Sequence, residues 1–352
     1  MVIKINEANT IDYLSQTEVF LGVDWEKVKV KEIKENTNVN YVFEVQLNLK
    51  LKVFLKQAFD YVKVAPNHPA PIDRQYFEKL SIEYLYKIWG NKIPKIVYYD
   101  KKNNILIVSD MGQGAKLLAD EIKNGKLHLN VGKDLGDMMA RLHSLTYGLN
   151  DYPARDMEAN KKHVAFIIDF RLRGCREVFP DKARELVEKS RSKKTSIIYG
   201  DWAPKNIFVA NNRIRLVDFE NVCRFDPAFD IGYALAHWLL ELTGSNLRNM
   251  VKFVQEFEKG YLNRWPRDKK SQVMEIFRRA TKYTGAMMLH RFAGEKNTNR
   301  VEVYATKAES LIKISNVLLS GKNSRLSEEM ENLRPVLIPD RFDNGGDERF
   351  GT

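Results

Sequence analysis

From Tyr41 to Leu55, "YVFEVQLNLKLKVFL", an apolar residue stands at every odd position, and after about Asp110 this period of two gives way to helical spacings. Such alternation belongs to a half-buried strand or to two strands in a hairpin, because successive side chains leave a strand on opposite faces. Next, "PIDRQYFEKLSIEYLYKIWG" places Tyr76, Leu80, Tyr84 and Ile88 four apart. Asp73 is a candidate N-cap and Gly90 a stop, so one amphipathic helix is predicted there. "KIPKIVYYD" and "NILIVSDMG" read as two more strands. Further on, "VGKDLGDMMARLHSL", "PDKARELVEKSRSK", "FDIGYALAHWLLELTG" and the stretch 250–319 carry helical spacings. In the third of these, Ile231, Ala234, Leu235, Trp238 and Leu239 form a stripe that buries one face and belongs to a core.

Strands first and helices later predict an α+β chain. A length of 352 residues exceeds what most single cores support. The expected division is a lobe over 1–110, a helical lobe over 111–334 holding the reactive loop and substrate site, and a flexible, Pro-, Gly- and charge-rich tail over 335–352. The start, "MVIKINEANTIDYL", lacks the apolar core of a signal peptide, and no apolar run approaches the roughly 20 residues of a spanning helix. A cytoplasmic chain without a membrane partner is expected. Cys175 and Cys223 alone give neither a disulfide framework nor a closely spaced ligand pair. A net charge of +11 would suit nucleic acid, an anionic membrane or a small phosphorylated ligand. The cations are spread out and form no stripe interleaved with aromatics, which argues against nucleic acid.

The chemistry gathers in "IIYGDWAPKNIFVANNRIRLVDFE", residues 197–220. "NIFVANNRIRLVDFE" reads as a hairpin about Asn211 and Asn212, residues that tolerate the positive φ of a type I′ turn. Pairing about that turn sets Asn206 opposite Val217 and beside Asp218, with Asp201 just upstream in a loop stiffened by Pro204. An amide oxygen and carboxylates at a strand mouth suit a hard cation such as Mg²⁺, and Asp201 would then act as base. The spacing is that of a kinase catalytic loop, in which an Asp takes the acceptor proton, an Asn four or five residues on binds metal, and a later Asp binds the main Mg²⁺. Ordinary turn chemistry on a solvated hairpin would use the same residue types.

Taken together, "YGDWAPKNIFV", "RLVDFE" and "FDPAFDIG" resemble the aminoglycoside phosphotransferase and choline kinase superfamily. That resemblance implies a bilobal, protein-kinase-like fold, an antiparallel sheet with one main helix followed by a helical lobe, and transfer of a phosphoryl group from ATP with Mg²⁺ to a small-molecule hydroxyl. Tyr199 departs from the usual His and Trp202 from the usual Leu. Asp230 matches an Asp that supports the catalytic loop, its plain alternative being a first-turn helix acid. "NTNVNYVFEV", "FLKQAFDYVK", "DRQYFEKLSIEYL" and "IPKIVYYDKKNNILIVSDM" are similar, in that order, to stretches of 5-methylthioribose kinases.

By that resemblance Asn38 and Asn40 lie in the nucleotide-covering loop and Lys56 binds phosphate. Glu83 is its expected helix partner, with Glu78 second, and Asp110 and Met111 open a hinge ending at Gly112. Asp201 is the implied base, Asn206 and Asp218 the metal ligands, and Glu220 a ligand to the metal or its water. "GAMMLHRFAGE" resembles a segment with an Arg pair beside the substrate, here kept as Arg291 with His290, and Trp202 is placed on the substrate side with them. Those kinases carry a small residue where Asn206 stands. The acceptor expected is a ribose-type sugar such as 5-methylthioribose. Its rivals are choline or another amino alcohol, an aminoglycoside and homoserine, and outside enzymes an inactive nucleotide-binding scaffold. The oligomeric state stays open, a homodimer among the choices.

Overall fold

The structure is a computed structural model, and it describes all residues except 1, 36, 125, 127–129, 154–160, 163, 166, 212, 242–246, 293–307, 324 and 334–352. The tail expected over 335–352 and the second turn residue Asn212 therefore lie outside the described residues. The chain packs as two units: residues 1–127, 141–166 and 195–225 form the first, and 128–140, 167–194 and 226 onward the second. The five-stranded sheet ends at Ser109, close to the lobe boundary expected near residue 110, but the packing of the first unit also takes in the hairpin segment 195–225.

The alternating stretch folds as expected into β2 (Tyr41–Gln46) and β3 (Lys52–Gln57), paired antiparallel with Phe43 opposite Leu55 and Val45 opposite Val53. With β1 (Lys29–Glu32), β6 (Ile96–Asp100) and β7 (Ile105–Ser109) they make one sheet in the order β1-β2-β3-β7-β6. Two short strands, β4 (Tyr61–Val62) and β5 (Ala65–Pro69), pair beside it. Odd positions Phe43, Val45, Val53 and Leu55 join Ile105 and Ile107 in an apolar cluster. Its cover is the N-terminal segment, through Ile5, Phe20, Val28 and, from helix α1 (Thr10–Ser15), Leu14. Lys56 is an even position, paired with Val42 and Leu106, so it leaves the opposite face of the sheet.

Helix α2 (Arg74–Trp89) starts after Asp73, which makes no side-chain cap, and stops at Gly90, whose φ of 57° lies in the left-handed region. The buried row on this helix is Phe77, Ile82, Leu85 and Trp89, while Tyr76 is 41% exposed. The row expected, Tyr76 to Ile88, is instead the neighbouring one, half-buried beyond the exposed Tyr76, and the buried row Phe77, Leu85 and Trp89 carries Ser81 between its apolar members.

A second sheet of the first unit has the order β11-β10-β8, from β8 (Lys116–Leu117), β10 (Ile207–Ala210) and β11 (Arg213–Leu216). Strands β9 (Ser196–Ile198) and β12 (Cys223–Phe225) pair on their own. Helices α3 (Leu118–Lys123) and α4 (Val131–Thr146) follow the sheet of five, and the second unit is helical. It contains the start of α4, then α5 (Arg173–Val178), α6 (Pro180–Arg191), α7 (Pro227–Glu241), α8 (Leu247–Leu262), α9 (Lys270–Phe292), α10 (Ala308–Ser320) and α11 (Leu326–Glu331). The stripe on α7 is buried as expected, but so are Phe229, Tyr233 and Ala236 on its other sides. The helix runs through a core rather than over one.

Helices α4 and α8 touch through glycines. A Cβ on Gly136 would stand 2.1 Å from the Phe257 carbonyl, and one on Gly260 would stand 2.1 Å from the Lys133 carbonyl. Both obstacles are backbone and cannot swing away. We expect Gly136→Ala to force the two helices apart and to lower stability by about 1–3 kcal/mol, as overpacking of a tight core does. Urea unfolding checks this, and an unchanged midpoint would contradict the crossing.

Candidate active site

The side chain of Lys56 crosses from the sheet to two acidic partners: its Nζ lies 2.6 Å from Glu78 Oε1 on α2 and 2.9 Å from Asp218 Oδ1 after β11. Glu78 Oε1 also accepts the Phe219 backbone N–H at 3.0 Å. Burial alone would lower the Lys56 pKa, but Asp218, Glu78 and Glu220 outweigh it and hold the ammonium charged well above its ordinary range. Burial pushes the Glu78 carboxyl up against the pull of Lys56. Asp218 is held below the carboxylate range because Lys56, then Lys205, overcome its desolvation. Asp218 has a φ of 71°, a left-handed conformation that costs a non-glycine residue energy and that turns its carboxylate toward Lys56.

Glu220 follows two residues later and accepts a 2.7 Å hydrogen bond from Asn40 Nδ2. Desolvation first, then repulsion from Asp218, pushes its carboxyl up to about 8, with Lys56 pulling the other way. Three carboxylates thus gather about the Lys56 ammonium, with Lys205 and Arg74 pulling on Asp218 and Glu220 in turn. Among the described residues no group of three or more His, Cys, Asp or Glu side chains forms a metal cage. Mg²⁺ is ordinarily held by one or two carboxylates together with phosphate oxygens rather than by such a cage, so an all-oxygen set with a destabilised carboxylate fits it.

The hairpin register is the one expected: Ile207 pairs with Leu216, and the Val217 N–H donates to the Asn206 carbonyl at 3.1 Å. Asn211 has a φ of 49°, as its place in a tight turn requires. Asn206 Nδ2 donates to the Asp201 carbonyl at 3.1 Å, which ties the two ends of the loop together. Asp201 is 3% exposed, with Lys205 Nζ 3.9 Å away. Gly200 precedes it with a φ of 83°, and a Cβ there would meet the Asn221 carbonyl at 2.5 Å. The loop can pass so close to the segment after Glu220 only through a glycine.

Glu83 and Trp202 do not stand as expected. Glu83 is not the partner of Lys56: it points outward on α2 and pairs with Lys79 at 2.6 Å, five residues and half a turn away from the buried Glu78. Trp202 is fully buried, edge-on to Trp89 and Tyr199, so it packs the core and offers no surface to a substrate. Asn40 is also buried, bonded to Glu220 and Arg74. Asn38 is exposed, and its carbonyl accepts from the Val64 N–H at 3.1 Å. Asp110 Oδ1 accepts the Gly112 N–H at 2.7 Å, and the Met111 carbonyl accepts from Arg215 at 3.2 Å. Asp230, His290 and Arg291 belong to the second unit. Asp230 is buried in the first turn of α7. His290 lies against Phe170, and burial, then Arg171, Arg291 and Arg173, lowers its pKa to about 3.

Tyr199 replaces a polar residue of the family pattern with another polar contact. Its hydroxyl donates to the Val217 carbonyl, just before Asp218, while its ring packs on Trp89, Trp202 and Phe219.

Residues 113–269 match the family described as APH, Phosphotransferase enzyme family. That segment is a phosphotransferase-family domain. Among curated relatives, methylthioribose kinase of Pectobacterium atrosepticum is 22% identical over 246 residues, 62% of this chain and 61% of the relative. The chain thus spans about three fifths of the length of this and two further methylthioribose kinases that it matches. Among solved structures, choline kinase from Cryptosporidium parvum is similar with a TM-score of 0.53 at 13% identity, covering 94% of this chain and 96% of that one. Amicoumacin kinase hAmiN, solved with AMP-PNP and Ca²⁺, is similar with a TM-score of 0.51 at 14% identity, covering 86% and 91%. The phosphotransferase domain and the fold of these kinases are therefore present, and the fold is α+β and kinase-like.

Sequence reasoning missed Arg74 and the buried pair of Asp226 with Arg279, at 2.8 and 3.0 Å. For Arg74 a signal existed: it stands one helical turn before Glu78, on the same face.

Two outcomes follow for stability. Glu78→Ala leaves the Lys56 ammonium buried without its helix partner and should cost about 3–5 kcal/mol, whereas Glu83→Ala should stay within about 0.5 kcal/mol in the same urea titrations. The second concerns acid. His290 stays neutral in the fold down to about pH 3, while the unfolded chain protonates it below about 6.5. The unfolded state then binds more protons between these limits, so His290 lowers stability as pH falls through that window. From pH 7 to 5 the wild type should lose about 2 kcal/mol more than His290→Leu. Parallel losses in the two proteins would contradict the buried neutral imidazole.

Proposed function

We propose that the chain is a small-molecule kinase that transfers the γ-phosphoryl group of ATP to an alcohol. The observation that carries this reading is Lys56 set between Glu78 and Asp218, in the same packing unit as Asp201 and Asn206 and within a chain that holds a phosphotransferase-family domain. In the proposed mechanism Lys56 orients the phosphates, with Glu78 fixing where its ammonium points. Asp218, Asn206 and Glu220 would hold Mg²⁺, which when bound neutralises charge on the transferring phosphoryl group. Asp201 orients the acceptor hydroxyl and takes its proton. The chain needs little covalent chemistry of its own, because positioning and charge neutralisation supply most of the catalysis.

For the acceptor we propose a ribose-type sugar such as 5-methylthioribose. The methylthioribose kinases among the relatives support it, at 22% identity. So do the arginines 171, 173 and 291 gathered about His290, if Arg291 serves the acceptor as the family pattern implies. A guanidinium can hydrogen-bond sugar hydroxyls but repels an ammonium. Similarity to choline kinase extends to the fold alone.

The test is ADP release with Mg²⁺-ATP and a panel of 5-methylthioribose, ribose, choline, homoserine and kanamycin. Sugar turnover in preference to the cationic acceptors is expected. Nucleotide binding with no turnover of any acceptor would instead favour the inactive scaffold. Asp201→Asn should keep nucleotide affinity and lose about 10²–10⁴-fold in kcat, the usual worth of general base catalysis. Wild-type turnover in that variant would remove Asp201 from the mechanism.

A further inference from the structure

Arg74, the first residue of α2, is only 3% exposed, yet among the described residues it makes no ion pair with a carboxylate. All of its donors go to neutral oxygens. Nε donates to Asn40 Oδ1 at 2.6 Å, Nη1 to the carbonyls of Pro71, at 2.9 Å, and Phe59, and Nη2 to those of Val39, at 3.2 Å, and Tyr61, at 3.3 Å. A buried guanidinium is costly to place, and one facing five neutral acceptors needs a reason. The reason lies one bond further on. Asn40, fixed by Arg74 through its oxygen, donates its amide N–H to Glu220 Oε2 at 2.7 Å.

An arginine paired directly with Glu220 would form a bidentate bridge and occupy both carboxylate oxygens. The intervening amide donates a single hydrogen bond, to Oε2, and orients the group, while the Arg74 charge, one residue removed, pulls on it without a direct bridge. The same fork grips the backbone of residue 39 before β2 and of residues 59, 61 and 71 between β3 and α2, so the orientation of Glu220 is tied to both segments. One helical turn further along α2, Glu78 holds Lys56 and the Phe219 N–H. Helix α2 therefore controls both residues after Asp218, Phe219 through its backbone and Glu220 through its carboxylate.

We propose that Arg74 is a positioning residue that acts through Asn40 to hold the Glu220 carboxylate toward a divalent cation and makes cation binding depend on the conformation of residues 39–40 before β2 and of the segment 59–71 between β3 and α2. This rests on the kinase reading of the site. Partners that orient a ligand in this way are commonly worth about 10–100-fold in metal affinity.

The probe is Mn²⁺, followed by the free-ion electron paramagnetic resonance signal, with a non-hydrolysable ATP analogue kept below the protein concentration. Asn40→Ala cuts the relay but leaves the carbonyl bonds of Arg74, and Arg74→Lys keeps the charge but loses the fork. Both should weaken Mn²⁺ binding by about 10-fold or more. Affinity for the analogue in EDTA should fall much less, and Asn40→Ala should stay folded at the assay temperature with a lowered thermal midpoint. Unchanged Mn²⁺ affinity in Asn40→Ala, while the wild type binds the ion, would overturn the relay and leave the kinase reading standing. So would an equal loss of EDTA-state analogue affinity, the mark of a purely structural role. Absence of Mn²⁺ binding by the wild type would overturn the relay and the kinase reading together.

Discussion

One buried ammonium organises the first packing unit. Lys56 comes from the sheet, Glu78 from α2 and Asp218 from the segment after β11, and the three meet within 3 Å of Lys56 Nζ. Taking such groups out of water is costly, and removing one partner leaves the others uncompensated. The geometry that satisfies them is therefore held firmly. The rotation of α2 about its axis follows from Glu78 reaching Lys56, and the left-handed backbone of Asp218, a strain on the order of 1–3 kcal/mol, is offset by the contact it makes.

The same arrangement leaves charge unsatisfied. With Lys56 shared by Glu78 and Asp218, Glu220 stands in a desolvated place beside a second carboxylate, and its carboxyl is pushed up to about 8. A fold selected for stability alone would pair Glu220 or replace it. Here it is kept, aimed by an amide rather than by a direct bridge to an arginine, which is consistent with the cation role proposed for it. Functional sites are where such unpaired groups gather.

How much of this was legible in the sequence depended on whether a signal was local. The hairpin 206–217 was readable to the residue, because turn chemistry and alternation fix register together. The β2–β3 pair was readable for the same reason. The partner of Lys56 was not: Glu78 and Glu83 both lie on α2, and only packing decides which row of the helix faces the sheet. The apolar row from Tyr76 to Ile88 made the wrong face look as good as the right one, whose row carries Ser81. The N-terminal cover, with Ile5, Leu14 and Phe20 closing the outer sheet face, carries too short a pattern to be read before the sheet is known. Arg74 was hard to read as a site residue although it stands one turn before Glu78, because most of its partners are backbone carbonyls, which leave no trace in side-chain identity.

The two departures from the family pattern in the loop that carries Asp201 pack against one another. Tyr199 and Trp202 pack edge to face at 5.1 Å, and Trp89, the last residue of α2, meets both, at 6.4 and 5.9 Å. Aromatic edges of this kind add to the area that the rings bury. Each large ring fills space against the other in this chain. The Tyr199 hydroxyl then reaches the Val217 carbonyl, and its ring lies on Phe219, so the residues on both sides of Asp218 are held from the strand that leads into the catalytic loop. Helix α2 is thereby fastened at three points: at its start by Arg74, one turn on by Glu78, and at its end by Trp89 against the loop that carries Asp201. A helix held along its whole length keeps its charged groups in fixed directions, and this preorganisation is what positioning chemistry needs from a fold.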